Sequence, residues 1–398
     1  MSKAGVREGI DEGTAYGRPP QHSNPVLTQV GPGTPLGELM RRYWQPVAMS
    51  EEVTTTPKQI RILGEDFVIF RDRKGRPGML YPRCMHRGTT LYYGKVEDEG
   101  IRCCYHGWLF DVEGHCLDQP CEPSQGEGHR EKVRQPWYPV EERYGLMFAY
   151  MGPAEKKPVL PHWDNIENLG PDEEYQTRYA NHIGNPILDY SWLHQNDNVM
   201  DPFHVQVLHS TFTGAQFHPQ FALMPKVDFK QVEDGVYYSA VRVLDDGRTM
   251  DRISHWMCPN VMAVPSTQMD AGAATGVAWV VPVDDTHYFQ LLTRRVKKGA
   301  PNLFLKINGK ALDERSEAER REFPGDYEAQ IGQGPISLHT EEHLATSDRG
   351  IVMQRRFLER QMKVVAEGGD PVGVSFDPKK ATVKVRSGNF FSTAQAAE

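Results

Sequence analysis

The chain has 398 residues, which is ample for two domains. Of these residues, 39% are hydrophobic and 25% charged, a balance that excludes disordered and fibrous proteins. Its formal net charge of -8 provides no basic field for phosphate backbones and so argues against a nucleic-acid partner. Six cysteines without a secretory signal argue against a disulfide scaffold and favour the cytoplasm, where cysteines near histidines indicate metal binding.

The first part of the chain predicts a small all-β domain behind a polar arm. Residues 1–30 are rich in Gly, Pro and polar residues, and Thr34-Pro35 is a cap-and-proline pair that opens a short helix. Short strand-like segments separated by turns then follow from about residue 59 to residue 150. We therefore expect an arm over 1–30 and a domain over 31–154.

The remainder, residues 155–398, mixes strands with helices. Its longest apolar run, 277–283, is far shorter than the ~20 residues of a membrane helix and is typical of a buried strand. A helical stretch is predicted over 186–209, and a long amphipathic helix, capped by Ser347, ends the fold. This pattern predicts a second domain of the α+β class.

The strongest signal is Cys84-Met-His86, followed after sixteen residues by Cys103-Cys-Tyr-His106. Zinc fingers usually pair Cys with Cys and His with His, but here each loop supplies one of each. A Rieske [2Fe-2S] cluster needs this mixed set, because one iron takes both thiolates and the other takes both imidazoles. Cys104 would repeat the spacing of the first loop, yet we favour Cys103 because Cys-x-x-His lets the second loop turn around the cluster.

A second constellation runs from Asn198 to His209 and contains Asp201 and His204. His204 and His209 are five residues apart, about 140° around an ideal helix, so both can reach one metal only if the helix is broken or overwound. Pro202 makes such a distortion reasonable.

Two histidines and a distant carboxylate compose the facial triad of non-heme Fe(II) oxygenases. Asp348, in the first turn of the terminal helix, is the predicted third ligand. Glu341, Glu342 and His343 lie close by as alternatives.

These segments resemble those of Rieske non-heme iron aromatic ring-hydroxylating oxygenases, and the phthalate-type α subunits above all. The similar segments are 83–88, 103–108, 198–209 and 346–353. The family commonly has Pro where this chain has Cys104. The resemblance implies an all-β Rieske domain followed by a helix-grip catalytic domain, an antiparallel sheet covered by helices. It also implies a homotrimer in which Asp201 links an iron-ligand histidine to a Rieske histidine of the neighbouring subunit.

The function implied by the resemblance is hydroxylation or O-demethylation of an aromatic, often carboxylated, compound with O2. Electrons would come from NAD(P)H through a separate reductase or ferredoxin. Asn198 is a candidate polar neighbour of the iron, and Arg242 and Arg252 are candidates for pairing with a substrate carboxylate. Two rival interpretations are an electron-transfer Rieske protein and a zinc-stabilised binding module, both without oxygenase activity.

Overall fold

A computed structural model describes residues 18–180, 185–302 and 306–393. Most of the expected N-terminal arm lies outside the described residues. The predicted leading helix is confirmed: Thr34 Oγ1 accepts the Gly37 N–H at 3.2 Å, and Pro35 fills the first helical position. The two helices before the first strand are α1 (Pro25–Thr28) and α2 (Pro35–Arg41).

The N-terminal half is built from three antiparallel sheets. The strands are β1 (Trp44–Met49), β2 (Lys58–Ile62), β3 (Glu65–Arg71), β4 (Pro77–Leu80), β5 (Lys95–Glu97), β6 (Gly100–Arg102), β7 (Leu109–Phe110), β8 (Cys116–Asp118), β9 (Trp137–Tyr138), β10 (Val140–Arg143) and β11 (Leu146–Tyr150). Their order is β1-β11-β10, β2-β3-β4-β9 and β5-β6-β7-β8. The last sheet positions the two loops for which the sequence predicts metal binding, residues 81–94 before β5 and residues 103–108 between β6 and β7.

The C-terminal half contains a large antiparallel sheet, as the resemblance implied. In the described residues it has nine strands, in the order β13-β20-β19-β17-β16-β15-β14, with β22 paired to β16 and β18. The strands of this half are β12 (His162–Trp163), β13 (Glu173–Tyr179), β14 (Lys226–Gln231), β15 (Gly235–Val243), β16 (Arg248–Met257), β17 (Val261–Ala263), β18 (Gly272–Ala273), β19 (Gly276–Asp284), β20 (His287–Lys297), β21 (Thr382–Val383) and β22 (Gly388–Thr393). The predicted apolar strand is β19, whose interior is fully buried.

Helices cover this sheet. They are α3 (Trp192–Val199), α4 (His204–Gln206), α5 (Glu317–Glu322), α6 (Asp326–Ile331) and α7 (Arg349–Ala366). Helix α3 packs against β16, β19 and β20, whereas α7 packs against β14 and β15. Helix α7 begins at Arg349, with Asp348 rather than Ser347 at its cap position. In the described ranges, no helix has both the length and the apolar character needed to span a bilayer.

One apolar core joins the two halves of the chain. Phe148 of β11 and Trp163 of β12 pack edge-to-face on Trp279 of β19, with ring centroids 5.5 and 5.0 Å away. The β2–β3 turn adds two backbone bonds, from Leu63 and Gly64 N–H to carbonyls at the end of β19. This contact fixes the N-terminal sheets on the large sheet.

Candidate metal centres and active site

The two metal-binding loops have the same backbone geometry. In the first loop, Gly88 N–H donates to the Cys84 carbonyl at 2.8 Å; in the second, Gly107 N–H donates to the Cys103 carbonyl at 3.1 Å. Both glycines adopt positive φ, +79° and +74°, which allows this tight turn. Cys84 therefore corresponds to Cys103. Both thiols are buried, whereas Cys104 is exposed, which favours the predicted ligand Cys103.

The side chains of these loops converge as a donor set for a cluster. His86 and His106 have ring centroids 4.5 Å apart, and His86 stacks on Trp108 at 4.4 Å. Burial raises the pKa of the Cys84 thiol to about 12, and the adjacent Cys103 adds to the effect. His86 Nδ1 is buried without a hydrogen-bond partner in the described part of the chain. Two crowded thiols and an unpartnered imidazole nitrogen fit a group with positive metal ions.

The second centre forms where the predicted helix 186–209 is interrupted. Helix α3 ends at Val199, and after a break the chain enters α4 and then a π-helical turn, Val207–Thr211. A bond from Phe212 N–H to the Val207 carbonyl, 2.9 Å long, has the i→i+5 spacing of this turn. The helix is thus widened rather than overwound. The widening brings His204 and His209 together, with ring centroids 5.3 Å apart.

The carboxylate beside these histidines belongs to Asp326, the first residue of α6. Its Oδ1 lies 3.1 Å from His209 Nε2 and 3.6 Å from His204 Nε2. One ligand atom from each of the three residues lies within 4.8 Å of the other two. Asn198 Nδ2, predicted as a polar neighbour, donates to the same Oδ1 at 3.0 Å. Two imidazoles and one carboxylate fit a non-heme iron.

The expectation for Asp348 is corrected by this geometry. Its Oδ2 accepts the Ala345 N–H at 2.7 Å, within its own turn, and it lies outside the group of three. None of the three alternative ligands belongs to this group of side chains either. Glu342 pairs with Arg355, and Glu341 and His343 lie outside the group. The Asp348 carboxylate therefore bonds within its own turn, residues 345–348, and not beside the two histidines.

The charges of the second centre are mutually compensated. Burial alone would raise the pKa of Asp326, but His209, His204 and Asn198 outweigh it and hold that pKa well below its usual range. Burial likewise opposes the charged form of His204, yet Asp201 and Asp326 together raise its pKa. His204 Nδ1 lies 2.5 Å from the Asp201 carbonyl oxygen, an acceptor, so this nitrogen carries the proton and Nε2 is free for a metal.

Asp201 occupies the turn before α4. Its Oδ1 accepts the backbone N–H of Phe203 at 2.9 Å, and its Oδ2 lies 3.7 Å from His204 Nδ1. Its side chain is 30% exposed, so one face of the carboxylate remains available. Among the described hydrogen bonds and ion pairs, none joins Asp201 to His86 or His106 of the same chain.

Arg242 and Arg252 lie close together inside the C-terminal half. Both are buried, and their guanidinium carbons lie 5.2 and 5.1 Å from the ring centroid of Phe221. Phe221 in turn contacts Phe217, which stacks on His209 at 4.1 Å. The two arginines therefore lie behind an aromatic layer next to the second centre.

Comparison with known proteins agrees with both centres. Residues 43–138 match the profile of the Rieske [2Fe-2S] domain. Over 395 residues the chain is 53% identical to the phenoxybenzoate dioxygenase subunit alpha of Ectopseudomonas oleovorans, covering 97% of this chain and 96% of the relative. The chain belongs to the Rieske oxygenase family. Within the family it is an oxygenase-component α subunit of the phthalate dioxygenase-like group, with a Rieske [2Fe-2S] cluster and a mononuclear non-heme iron.

A second relative supports the same assignment, and a solved structure has the same fold. The 5,5'-dehydrodivanillate O-demethylase oxygenase subunit of Sphingobium sp. is 33% identical, with 89% of this chain and 83% of the relative covered. NdmB of Pseudomonas putida CBB5 has the same fold, with a TM-score of 0.62, 19% identity and coverage of 87% and 96% of the two chains. Membership of this Rieske oxygenase family favours the oxygenase over the electron carrier and the zinc-stabilised module.

Sequence reasoning missed two features of this Rieske oxygenase site. Asp326 follows Pro324-Gly325 at the start of α6, a position that many helix-capping aspartates share. Gln216, which contacts His209, lies in a loop with no metal-binding signature. The local pattern had marked Asn198, Asp201 and the two histidines, but neither Asp326 nor Gln216.

Proposed function

We propose that this chain oxygenates a carboxylated aromatic compound. The observation that carries this proposal is the buried pair Arg242 and Arg252, which forms no ion pair with a carboxylate of the described residues. Arg242 Nη1 and Arg252 Nε are buried without a hydrogen-bond partner in the same ranges. Buried guanidinium groups are ordinarily paired. A substrate carboxylate would supply the missing acceptor.

The electrostatics of the pair favour an anion. Burial, followed by repulsion from Arg252, lowers the pKa of Arg242 to about 10, and burial lowers the pKa of Arg252 as well. With a pKa of about 10, the Arg242 guanidinium is protonated at neutral pH. A carboxylate between them would accept charge-assisted hydrogen bonds and offset the cost of burying both charges. Phe217 and Phe221 would then face the aromatic part of the substrate.

We propose ligands for both metal groups. Cys84, His86, Cys103 and His106 would hold the cluster, and His204, His209 and Asp326 would hold the iron. When bound, the cluster passes single electrons and the ferrous iron activates O2. Asn198 and Asp201 orient the iron ligands by the hydrogen bonds described above.

We also propose the domain boundaries of the chain, its location, its assembly and its electron donor. The chain is assigned an arm over 1–30, a Rieske domain over 31–154, within which the Rieske match lies, and a catalytic domain over 155–398. It would act in the cytoplasm as a homotrimer, with electrons from a separate reductase or ferredoxin. The names of the relatives include dioxygenases and an O-demethylase, so both outcomes are candidates.

Oxygen uptake with a surrogate reductase tests the substrate class. Phenoxybenzoate and methoxylated benzoates are compared with analogues in which the carboxyl group is replaced by a methyl group. We expect uptake with the acids only; released formaldehyde marks O-demethylation and a cis-diol marks dioxygenation.

The arginine pair is tested by Arg242→Met and Arg252→Met. Loss of one partner of a buried charged pair costs about 2 kcal/mol or more, so KM for the acid should rise roughly 30-fold or more. Arg248→Met, which removes an exposed arginine of β16, is the matched control and should leave KM unchanged. An unchanged KM in both buried variants contradicts the proposed carboxylate site.

A further inference from the structure

The side chain of Gln216 lies between an iron-ligand histidine and the segment that carries the carboxylate ligand. Its Oε1 lies 2.9 Å from His209 Nδ1. Its Nε2 donates to the carbonyl of Pro324 at 2.8 Å and to that of Leu208 at 3.3 Å. Pro324 precedes Asp326 by two residues. A single amide thus joins His209 to the start of α6.

The orientation of this amide fixes the proton on His209. Only the NH2 group can donate to two carbonyl oxygens, so Oε1 must face the histidine. Since Oε1 can only accept, His209 Nδ1 carries the proton, and the lone pair of Nε2 points to Asp326 and the metal position. An imidazole held in this tautomer is ready to bind a metal.

Three features of the local fold hold Gln216 beside His209. Gly214 has φ of +99°, and the chain reverses around it after the π-helical turn. Gln216 N–H then donates to the His209 carbonyl at 2.8 Å. Phe217 follows and stacks on the His209 ring. Backbone, amide and aromatic ring therefore all contact one histidine.

We propose that Gln216 is a positioning residue that holds His209 and the Asp326 segment at one spacing for iron. His209 and Asp326 are far apart in sequence and lie on separate elements, so their relative position depends on contacts between those elements. The Gln216 amide is such a contact, and it also satisfies the Pro324 carbonyl. This inference rests on the proposed iron site at His204, His209 and Asp326.

Ferrous-iron affinity tests the inference directly, without turnover. Iron is removed from the mononuclear site, and Fe(II) is titrated against a chelator in wild type, Gln216→Met and Gln216→Glu, with the cluster absorbance as a control for folding. Gln206→Met is the matched control, because Gln206 is a half-buried glutamine of α4 that bonds the Ala222 carbonyl. Electron paramagnetic resonance with nitric oxide as a probe reports the ligand geometry.

We expect Gln216→Met to bind Fe(II) roughly 10- to 100-fold more weakly and to broaden the resonance signal. Gln216→Glu keeps an acceptor for His209 but loses the donor to Pro324, so it should recover part of the affinity. Gln206→Met should match the wild type.

Wild-type affinity and signal in Gln216→Met would overturn the positioning role, and so would an equal loss in Gln206→Met. If Gln216→Met does not retain the cluster, the Fe(II) affinity of Gln216→Glu tests the positioning role. Wild-type affinity in Gln216→Glu would mean that the hydrogen bond to the Pro324 carbonyl is dispensable. Failure of the wild-type chain to bind Fe(II) at this site would instead contradict the proposed function.

Discussion

Asp326 and Asp348 both stand at the start of a helix, but their surroundings differ. Asp326 Oδ1 faces two imidazoles and the Asn198 amide, whereas the Asp348 carboxylate accepts a backbone N–H of its own turn. The pKa of Asp326 is lowered because the effects of His209, His204 and Asn198 together outweigh its burial. Its carboxylate is therefore ionised and available to a cation at any physiological pH.

Replacing each aspartate by asparagine distinguishes these roles. Asp326→Asn removes the anionic ligand, so we expect the mononuclear iron to be lost and the cluster retained. Asp348→Asn preserves size and exposure and should keep both metals. Iron analysis, combined with the cluster absorbance, measures the outcome. Full iron content in Asp326→Asn, or iron loss in Asp348→Asn, would contradict the corrected ligand set.

The spacing along the chain explains which ligands the sequence could reveal. Cys84 and His86 are near neighbours, as are Cys103 and His106, so a local motif identifies them. His209 and Asp326 are 117 residues apart, and only the folded structure brings them together. Sequence spacing holds no information on such a contact.

At the scale of elements, the helical stretch predicted over 186–209 proved to be two helices and a π-helical turn. The prediction that the helix must be broken or overwound for both histidines to reach one metal was right about a break, which follows Val199, and wrong about overwinding, because the later turn is widened. The widened turn accommodates the five-residue spacing of His204 and His209 by i→i+5 bonding. A hydrophobic pattern reports the existence of a helix but not the bonding of one turn.

Arg355 connects α7 to α3, the helix whose end carries Asn198 of the second centre. Its guanidinium lies 2.6 Å from Asp197 of α3 and 2.5 Å from Glu342, and the three side chains are 12–23% exposed. Burial raises the pKa of Asp197 to about 6 even beside this cation. Asp197 directly precedes Asn198, so this buried ion cluster ties α7 to the residue that contacts Asp326.

Arg355→Met should destabilise the protein by about 3–5 kcal/mol, because two buried carboxylates lose their cation. Arg356→Met, at the adjacent exposed position, should change stability by no more than about 0.5 kcal/mol. Without the cation, burial raises the pKa of the Asp197 and Glu342 carboxyl groups. Stability is lost as the pH rises through a raised carboxyl pKa, so the loss of stability in Arg355→Met should be larger at pH 8 than at pH 5. Thermal unfolding midpoints at both pH values measure this. Equal midpoints for the two variants would contradict the cluster's role.

For the whole molecule, the division into an all-β half and a half with a large antiparallel sheet was predictable. Turn residues at short intervals indicated the first, and the resemblance to Rieske oxygenases implied the antiparallel sheet of the second. The pairing of β13 with β20 was not predictable, since these two strands are far apart in the chain. The shared core around Trp279 likewise depends on contacts between distant segments.

The proposed trimer makes a prediction about the path of electrons. Asp201 leaves part of its carboxylate exposed and bonds neither cluster histidine of its own chain in the described residues. The family resemblance implies that its partner is His106 of the partner subunit, so that each iron would receive electrons from a neighbouring cluster. Such a relay would make the two centres of one chain functionally separable.

Mixed assemblies test this relay. Cys84→Ser removes the cluster and Asp326→Asn removes the iron, so each variant alone should be inactive. In equal mixtures assembled together, half of the subunits keep iron and half of their neighbours keep a cluster, so about a quarter of wild-type turnover should return. Adding Asp201→Ala to the Cys84→Ser chain should abolish this recovery, because Asp201 lies beside the working iron. Adding it to the Asp326→Asn chain should not. Mixed assemblies that stay inactive, although each centre is loaded as designed, would show that electrons do not cross between subunits.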